Sequence, residues 1–352
     1  MSFWHERRVF LTGHTGFKGS WLALLLLERG AHVAGYALAP ESRPNAYDLL
    51  ALEGDLESML ADVRDASRLR TAIEDTKPQI VIHLAAQAFV RRGYREPLAT
   101  FTTNVIGTAN LLEAVRVVPG VELVLVVTSD KVYAPGPRRA MREDDPLGGV
   151  DPYSASKAAA EIVVAGYRAR LTERGIRLAT ARAGNVIGGG DWGEDRLIPD
   201  LVRAADGATA ARLRYPQATR PWQHVADVAH GYLRLVEALA ADSAIARAWN
   251  FGPESEAEAT VTSIAHRFLA HYSPRTGIES DLGPTPPEAD YLALDASAAR
   301  RELGWRNRYD LEAGVAATAD WYAARGSGPR ALRALTLEQL QAASIAQAAG
   351  LP

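Results

Sequence analysis

The chain has 352 residues, and its 39 lysines and arginines face 42 aspartates and glutamates, a formal net charge of −3. That balance offers no basic field for nucleic acid, and a composition of 47% hydrophobic and 23% charged residues is that of a water-soluble globular chain with room for two domains. With no cysteine, it can hold no disulfide, thiolate nucleophile or zinc–thiolate centre, and no metal site is expected.

The opening MSFWHERRVFLTG runs from a short charged stretch into an apolar, β-like segment without the pattern of a secretory leader. The apolar run Trp21–Leu27 is far too short to span a bilayer, so a cytoplasmic protein with no membrane partner is expected. The first strand ends at Thr12, and Gly13, Gly16 and Gly19 follow at a spacing of three before a helix expected over Lys18–Arg29, with Gly30 as its stop. Strand, glycine turn and helix N-terminus are the parts of a dinucleotide-binding βα turn. Gly13 permits the tight turn, Gly16 lets a pyrophosphate approach the backbone, and Gly19 lets the helix lie against the strand. Thr15 and Phe17, which fill the turn, are counted with the glycines as cofactor-binding.

The second strand, His32–Ala37, should end in an acid for the adenosine ribose, but the chain there reads Ala37-Leu38-Ala39-Pro40 and the first acid is Glu41. With Arg43 nearby, the local chemistry leaves NAD and NADP both open. Ser58–Asp65 reads as a short strand running into a helix capped by Asp65. Asp62 at its end is placed to take an adenine amino group, with Val63 beside it. Pro78–Ala86 has the continuous apolar pattern of a doubly buried parallel strand. Leu84, Ala85 and Ala86 at its end leave space for something flat, and His83 within it is read as a core histidine. A helix over Asn104–Val118 follows, then a strand, Glu122–Val127, that runs into Thr128-Ser129-Asp130-Lys131-Val132-Tyr133. Strands alternating with helices give an α/β fold, a doubly wound parallel Rossmann sheet, with chemistry beyond the carboxyl ends of the strands.

After a proline- and charge-rich loop, Tyr153-Ser154-Ala155-Ser156-Lys157 opens an alanine-rich helix to about Thr172. Tyr153 and Lys157, four apart, share a helix face, and an adjacent ammonium lowers a phenol pKa from its usual value of about 10. The strand Arg177–Ala183 leads to the glycine-rich Gly184–Trp192, read as a substrate-side loop. Arg220–Asp227 leads into a helix to about Ala241, and a strand follows at Ala248–Gly252. Further helices are expected near Thr262–Tyr272 and Asp295–Leu303, with leucines at helical spacing over Leu335–Ala349. No repeat or flexible linker breaks the chain. A smaller substrate-binding domain, residues 187–220 and 253–352, is therefore interleaved with a dinucleotide domain, residues 1–186 and 221–252.

The motifs TGHTGFKGSWL, TSDKVY, DPYSASKAAAE, RAGNVIGGGDWGEDRLIPD and RPWQHVADV, in that order, and the late Leu303-Gly304-Trp305 span about residues 5–325. Over that span the chain resembles the extended short-chain dehydrogenases/reductases that act on nucleotide sugars, and within them the CDP-glucose 4,6-dehydratases. The resemblance implies an NAD cofactor, reduced and reoxidised within one cycle, and a CDP-glucose substrate. It implies Tyr153 as the base at the sugar C4 hydroxyl and Lys157 as the group that lowers its pKa and holds the nicotinamide ribose. Ser129 would bond the C4 oxygen, and Asp130 would be the acid for the departing C6 hydroxyl. Where related dTDP-glucose dehydratases carry a glutamate base, this chain has Lys131, which is given a catalytic role either as base or as electrostatic stabiliser. Asn185 and Arg220 are placed on the nucleotide diphosphate, with Arg196 and His224 also on the substrate side. His14 and Lys18 read as subgroup features beside the cofactor phosphates. Homodimers through the helices near Asn104–Val118 and Pro152–Thr172 are the family pattern. Two alternatives share the fold: a nucleotide-sugar 4-epimerase, against which Asp130-Lys131 speaks, and a non-catalytic dinucleotide-binding protein, against which Ser129, Tyr153 and Lys157 speak.

Overall fold

The apolar runs of the N-terminal half need burial on both faces, which a parallel sheet flanked by helices supplies. The computed structural model describes residues 2–254, 258–281 and 288–345. The first half comprises β1 (Arg8–Thr12), α1 (Phe17–Glu28), β2 (His32–Ala37), α2 (Ala46–Leu49), β3 (Glu57–Leu60), α3 (Ala66–Thr76), β4 (Ile80–His83), α4 (Val90–Arg95), α5 (Pro97–Phe101), α6 (Gly107–Val117), β5 (Leu123–Val127), α7 (Pro152–Thr172) and β6 (Arg177–Ala183). Then come β7 (Val186–Ile187), α8 (Leu197–Asp206), β8 (Ala211–Leu213), β9 (Thr219–Pro221), β10 (Gln223–His224), α9 (Val225–Ala241) and β11 (Ala248–Phe251). The last elements are β12 (Glu258–Thr260), α10 (Val261–Tyr272), β13 (Ile278–Ser280), α11 (Ser297–Glu302), α12 (Leu311–Ala324) and α13 (Pro329–Ile345).

Seven strands form one sheet in the order β11-β6-β5-β4-β1-β2-β3, every pairing parallel. Side chains alternate between its faces. Leu11 and Leu125 enter a core with Trp21 of α1, Val228 of α9 and Trp249, while Phe10 and Val124 enter the opposite one with Leu69 of α3, Leu112 of α6 and Val164 of α7. The strand order reverses between β1 and β4, so the space beyond their carboxyl ends is where a ligand is expected. Over that edge stand three small two-stranded pieces, β7–β10, β9–β12 and β8–β13, built from segments interleaved with the sheet.

Several elements differ from expectation for identifiable reasons. The strand expected over Pro78–Ala86 is seen over Ile80–His83, and just beyond it the Thr12 hydroxyl accepts from the amides of both Leu84 and Ala85 at 3.1 Å. The helix expected from Asn104 begins instead with a π-helical turn over Thr102–Ile106, and α6 starts at Gly107, where a Cβ would lie 2.7 Å from Val63 Cγ2. The sequence reading missed α12, capped by Asp310 and packed through Tyr322 against Phe268 of α10. The C-terminal helix is seen to Ile345; the expected residues 346–349 lie outside the described residues.

One buried ionic cluster ties α7 to the sheet. Glu161 of α7 accepts from the Thr128 hydroxyl at 2.5 Å, the Thr180 hydroxyl at 2.9 Å, and Nε and Nη2 of Arg182, each at 3.0 Å. Arg182 also donates to the Tyr133 hydroxyl at 2.9 Å and the Glu143 carbonyl at 3.0 Å. Both side chains of the ion pair are only 4% exposed. Removing one partner leaves the other charge stranded in a dry site, so Glu161→Ala is expected to cost about 3–5 kcal/mol. Chemical denaturation measures it as a lowered midpoint.

Candidate active site

The glycine turn after β1 is closed main chain on main chain. Gly13 has φ +78°, and a Cβ there would lie 2.8 Å from the Ala85 nitrogen; a Cβ on Gly19 would lie 2.0 Å from the Gly13 carbonyl oxygen. Helix α1 starts at Gly16 with no side chain capping it, so its first amides are left for an anion. Ala85 and Ala86, half-buried, border the turn from the end of β4. This cradle fits a dinucleotide pyrophosphate. Thr15 braces the turn by donating to the Leu38 carbonyl at 2.8 Å, and Phe17 lines the adjoining cavity. Asp62, at the end of β3, is held by the Arg64 guanidinium, and Val63 is buried against Gly107. Glu41 pairs with Arg92 of α4 at 2.8 Å.

The His14 ring, expected beside the phosphates, is packed into the protein. It is bonded through Nε2 to Ser58 at 2.8 Å and set edge-on to Tyr47, and burial lowers its pKa to about 4. Gly35 makes room for it, since a Cβ there would come within 2.4 Å of the imidazole. His83 is the core histidine expected, bridged by Thr12 at 2.7 Å and Thr108 at 3.1 Å.

At the end of β5, Ser129 caps a short turn over Asp130–Val132 by accepting from the Lys131 amide, and it donates to Asp130 Oδ1 at 2.9 Å. Asp130 is 4% exposed, and its Oδ2 has no hydrogen-bond partner among the described residues. Lys131 Nζ lies 3.6 Å from Asp130 Oδ1. Asp151 caps α7 through the Ser154 amide, so the helix starts where Tyr153 faces Ser129 and hydrogen-bonds it. Burial raises the Tyr153 phenol to about 12, against the Ser129 bond; Asp130 and Asp151 raise it and Arg196 lowers it. Lys157, expected to lower it, is not among these influences. Lys157 donates to the Val127 carbonyl at 3.3 Å, and burial and then the Lys18 charge lower its pKa to about 7.

Ser129, Asp130, Lys131 and Tyr153 border a cavity of about 270 Å³ lined also by Lys18, Asn185, Arg196 and Arg220. Arg196 pairs with Asp191 at 2.8 Å and lies over the Phe89 ring. Arg220 is 4% exposed, 3.5 Å from Glu288, and the Asn185 Oδ1 is buried without a partner among the described residues. His224, expected on the substrate side, does not line this cavity. It is 1% exposed, caps α9 through the Ala226 amide and packs between Trp21 and Tyr309. Sequence reasoning missed Phe89, Asp191, Arg214, Tyr215 and Glu288 on the same cavity. Asp191 sat within a quoted motif; Arg214 and Tyr215 carry no local signal. Among the described residues no group of three or more His, Asp or Glu could hold a metal ion.

Residues 10–318 match the family described as GDP-mannose 4,6 dehydratase. The chain belongs to this family. Among its relatives in this dehydratase family, it is 42% identical to a CDP-glucose 4,6-dehydratase of Salmonella typhimurium over 92% of each chain. It is 30% identical to a dTDP-glucose 4,6-dehydratase of Xanthomonas campestris, covering 89% of this chain and 92% of the relative. Of solved structures, a dTDP-glucose 4,6-dehydratase of Streptomyces venezuelae with NAD bound superposes with TM-score 0.76 at 25% identity, over 90% of this chain and 97% of the other. A UDP-glucose-4-epimerase of Stenotrophomonas maltophila shares the fold, with TM-score 0.81 at 24% identity, over 92% of this chain and 99% of the other.

The buried Lys157 has a consequence for stability in this dehydratase fold. Its pKa falls from 10.5 unfolded to about 7 folded, so between those values the unfolded chain holds more protons and stability rises with pH. Lys157→Met should therefore stabilise the protein freed of nucleotide by about 1–4 kcal/mol below neutral pH, while turnover is lost. Urea melts across pH should show the gain shrinking steadily toward pH 10.5.

Proposed function

We propose that this chain is an NAD-dependent CDP-glucose 4,6-dehydratase, a hydro-lyase converting CDP-D-glucose to CDP-4-keto-6-deoxy-D-glucose and water. The observation that carries the reading is Asp130: a buried carboxylate with one oxygen unpartnered among the described residues, bonded to the Ser129 that faces Tyr153. C4 epimerisation has no use for an acid there, and elimination across C5 and C6 does. The relative at 42% identity supports the choice of CDP-glucose.

Gly13, Gly16 and Gly19 would hold the NAD pyrophosphate on the first amides of α1, with Ala85 and Ala86 flanking and Lys157 at the nicotinamide ribose. When bound, NAD would supply the hydride acceptor for C4 and the hydride donor for C6. Tyr153 removes the C4 hydroxyl proton while Ser129 bonds the same oxygen. The C4 ketone so formed acidifies the C5 proton. Asp130 gives a proton to the C6 hydroxyl as it leaves. The Lys131 ammonium, beside Asp130, stabilises negative charge on the enolate. Asn185, Arg196 and Arg220, with Arg214, hold the nucleotide diphosphate. Residues 1–186 and 221–252 thus serve the cofactor, and 187–220 and 253–352 the nucleotide sugar.

Among the described residues no helix is long and apolar enough to cross a membrane. We place the enzyme in the cytoplasm, as a homodimer. The dimer reading is supported by Leu98 on α5, Ile106 before α6 and Ile162 on α7, which are 80%, 51% and 62% exposed on adjoining helices.

The test is incubation with NAD and CDP-, dTDP-, UDP- or GDP-linked hexoses, with mass spectrometry of the product. Loss of one water from CDP-glucose is expected; turnover without water loss would replace the reading with an epimerase, and inertness with a binding protein. Tyr153→Phe should keep cofactor and lose C4 oxidation by about 10²-fold or more. Asp130→Asn should oxidise C4 while elimination slows by about 10²–10⁴-fold, seen as accumulated reduced nicotinamide. For the dimer, Leu98→Glu combined with Ile162→Glu should sediment as a monomer.

A further inference from the structure

The loop between β7 and α8 brings Asp191 and Arg196 to the cavity wall. Among the described residues, no hydrogen bond from main chain to main chain involves residues 189–195. Side chains from four distant elements hold its carbonyls instead. Trp21 Nε1 of α1 donates to Gly189 at 2.8 Å, and the Tyr322 hydroxyl of α12 donates to Asp191. Arg203 of α8 donates to Trp192 and Gly193 at 3.3 and 3.1 Å, and Arg214, just after β8, donates to Asp195 at 2.7 Å.

Tyr322 holds the residue on which a cavity cation depends. The Asp191 carboxylate accepts from the Gly193 amide at 3.0 Å through Oδ1 and from Arg196 Nη1 at 2.8 Å through Oδ2. Arg196 is thereby laid over the Phe89 ring, its guanidinium carbon 5.0 Å from the centroid, with Arg92 over the same ring at 4.7 Å. Tyr322 itself is fully buried and does not line the cavity. Its ring is set edge-on to Trp192 at 5.3 Å and to Trp321 at 5.6 Å. Trp321 fills the space beside Gly189, where a Cβ would come within 1.9 Å of the indole, and donates to Thr336 of α13 at 2.9 Å. The two C-terminal helices thus form the floor on which the loop rests. We propose that Tyr322 is a positioning residue that acts through Asp191 to set Arg196 for the nucleotide diphosphate, an inference that rests on the nucleotide-sugar reading above.

The reason is the cost of an orphaned carbonyl. Without the phenol hydroxyl, the Asp191 carbonyl lacks its donor, and the peptide turns to find another, carrying the carboxylate with it. A guanidinium fork matches phosphate oxygens only when its plane is held, so a loosened Arg196 must be ordered again each time ligand binds. Ser129, Asp130, Tyr153 and Lys157 stand on β5, the turn after it and α7, which the Glu161 cluster fixes separately. The loss therefore falls on affinity and spares the chemistry.

The experiment titrates the NAD-loaded enzyme with CDP by calorimetry and follows turnover of CDP-glucose, for wild type, Tyr322→Phe, Arg196→Met and the double variant. Tyr309→Phe, which also loses a hydroxyl bonded to a carbonyl, that of Gln339 at 3.0 Å, is the control. Tyr322→Phe should weaken CDP and raise KM about tenfold, with kcat held within about twofold and NAD affinity unchanged. Arg196→Met should weaken CDP by more, and adding Tyr322→Phe to it should cost nothing further, because both act through one guanidinium. Tyr309→Phe should lower the denaturation midpoint and leave CDP affinity alone. Wild-type CDP affinity in Tyr322→Phe, an equal further loss in the Arg196→Met background, or weakened CDP in Tyr309→Phe would overturn the inference. So would loss of NAD affinity in Tyr322→Phe, since the hydroxyl would then support the fold at large. None of these results touches the dehydratase reading. A wild-type enzyme that binds CDP but releases no water from CDP-glucose would overturn that reading alone, and one that binds no CDP would overturn both.

Discussion

Glu161 is a carboxylate buried in the middle of α7, and its partners fix where that helix meets the ends of β5 and β6. Its oxygens accept from Thr128 at the end of β5 and from Thr180 and Arg182 on β6. Thr128 immediately precedes Ser129, and Glu161 lies one helical turn beyond Lys157. The ion pair therefore holds the two halves of the site at a fixed register. Arg182 extends the grip to Tyr133, whose hydroxyl also donates to Asn250 Oδ1 at 2.6 Å on β11. Buried ion pairs are weak sources of net stability because desolvation offsets the attraction. Here the pair supplies geometry: α7 cannot slide or rotate without stranding a charge.

The site that results holds charge in a dry place. Tyr153 is pushed to about 12, and Lys157 and Lys18 down to about 7 and about 8, each by burial first. Such groups cost folding energy, and they are displaced in the direction useful for proton transfer in the case of the two lysines. The phenol is displaced the other way. Its activation depends on groups that gather around it, of which Ser129 is the one already bonded.

Around the cavity mouth, arginines and carboxylates neutralise one another across distant segments. Arg91 and Arg92 of α4 reach Asp195 and Glu194 in the loop before α8, and Arg92 also reaches Glu41 beyond β2. Asp195 holds a left-handed backbone, φ 57°, at the centre of this network. These pairs bring the loop that carries Asp191 and Arg196 over the sheet edge, next to the glycine turn.

Much of this was legible in the sequence because it rests on local rules. Period and punctuation gave the alternating strands and helices, and Gly13 and Gly19 stood where only hydrogen fits between two backbones. The motifs around Ser129, Tyr153 and Lys157 carried the resemblance to nucleotide-sugar dehydratases. What stayed hidden depends on contacts between residues far apart in the chain. His224 read as a ligand-side residue and proved to be a helix cap in a core formed with Trp21 and Tyr309, from opposite ends of the sequence. His14 turned into the sheet because Gly35 left space for it. Arg214 and Tyr215 joined the cavity with no motif to mark them. The sequence by itself determined the sheet and the glycine turn, since period and steric exclusion act between neighbours, and its resemblance to a known family pointed to the reactive groups. Only the tertiary structure decided which polar groups are neutralised and which, like Asp130 Oδ2 and Asn185 Oδ1, are left without a partner among the described residues, because pairing and desolvation are properties of the packed site.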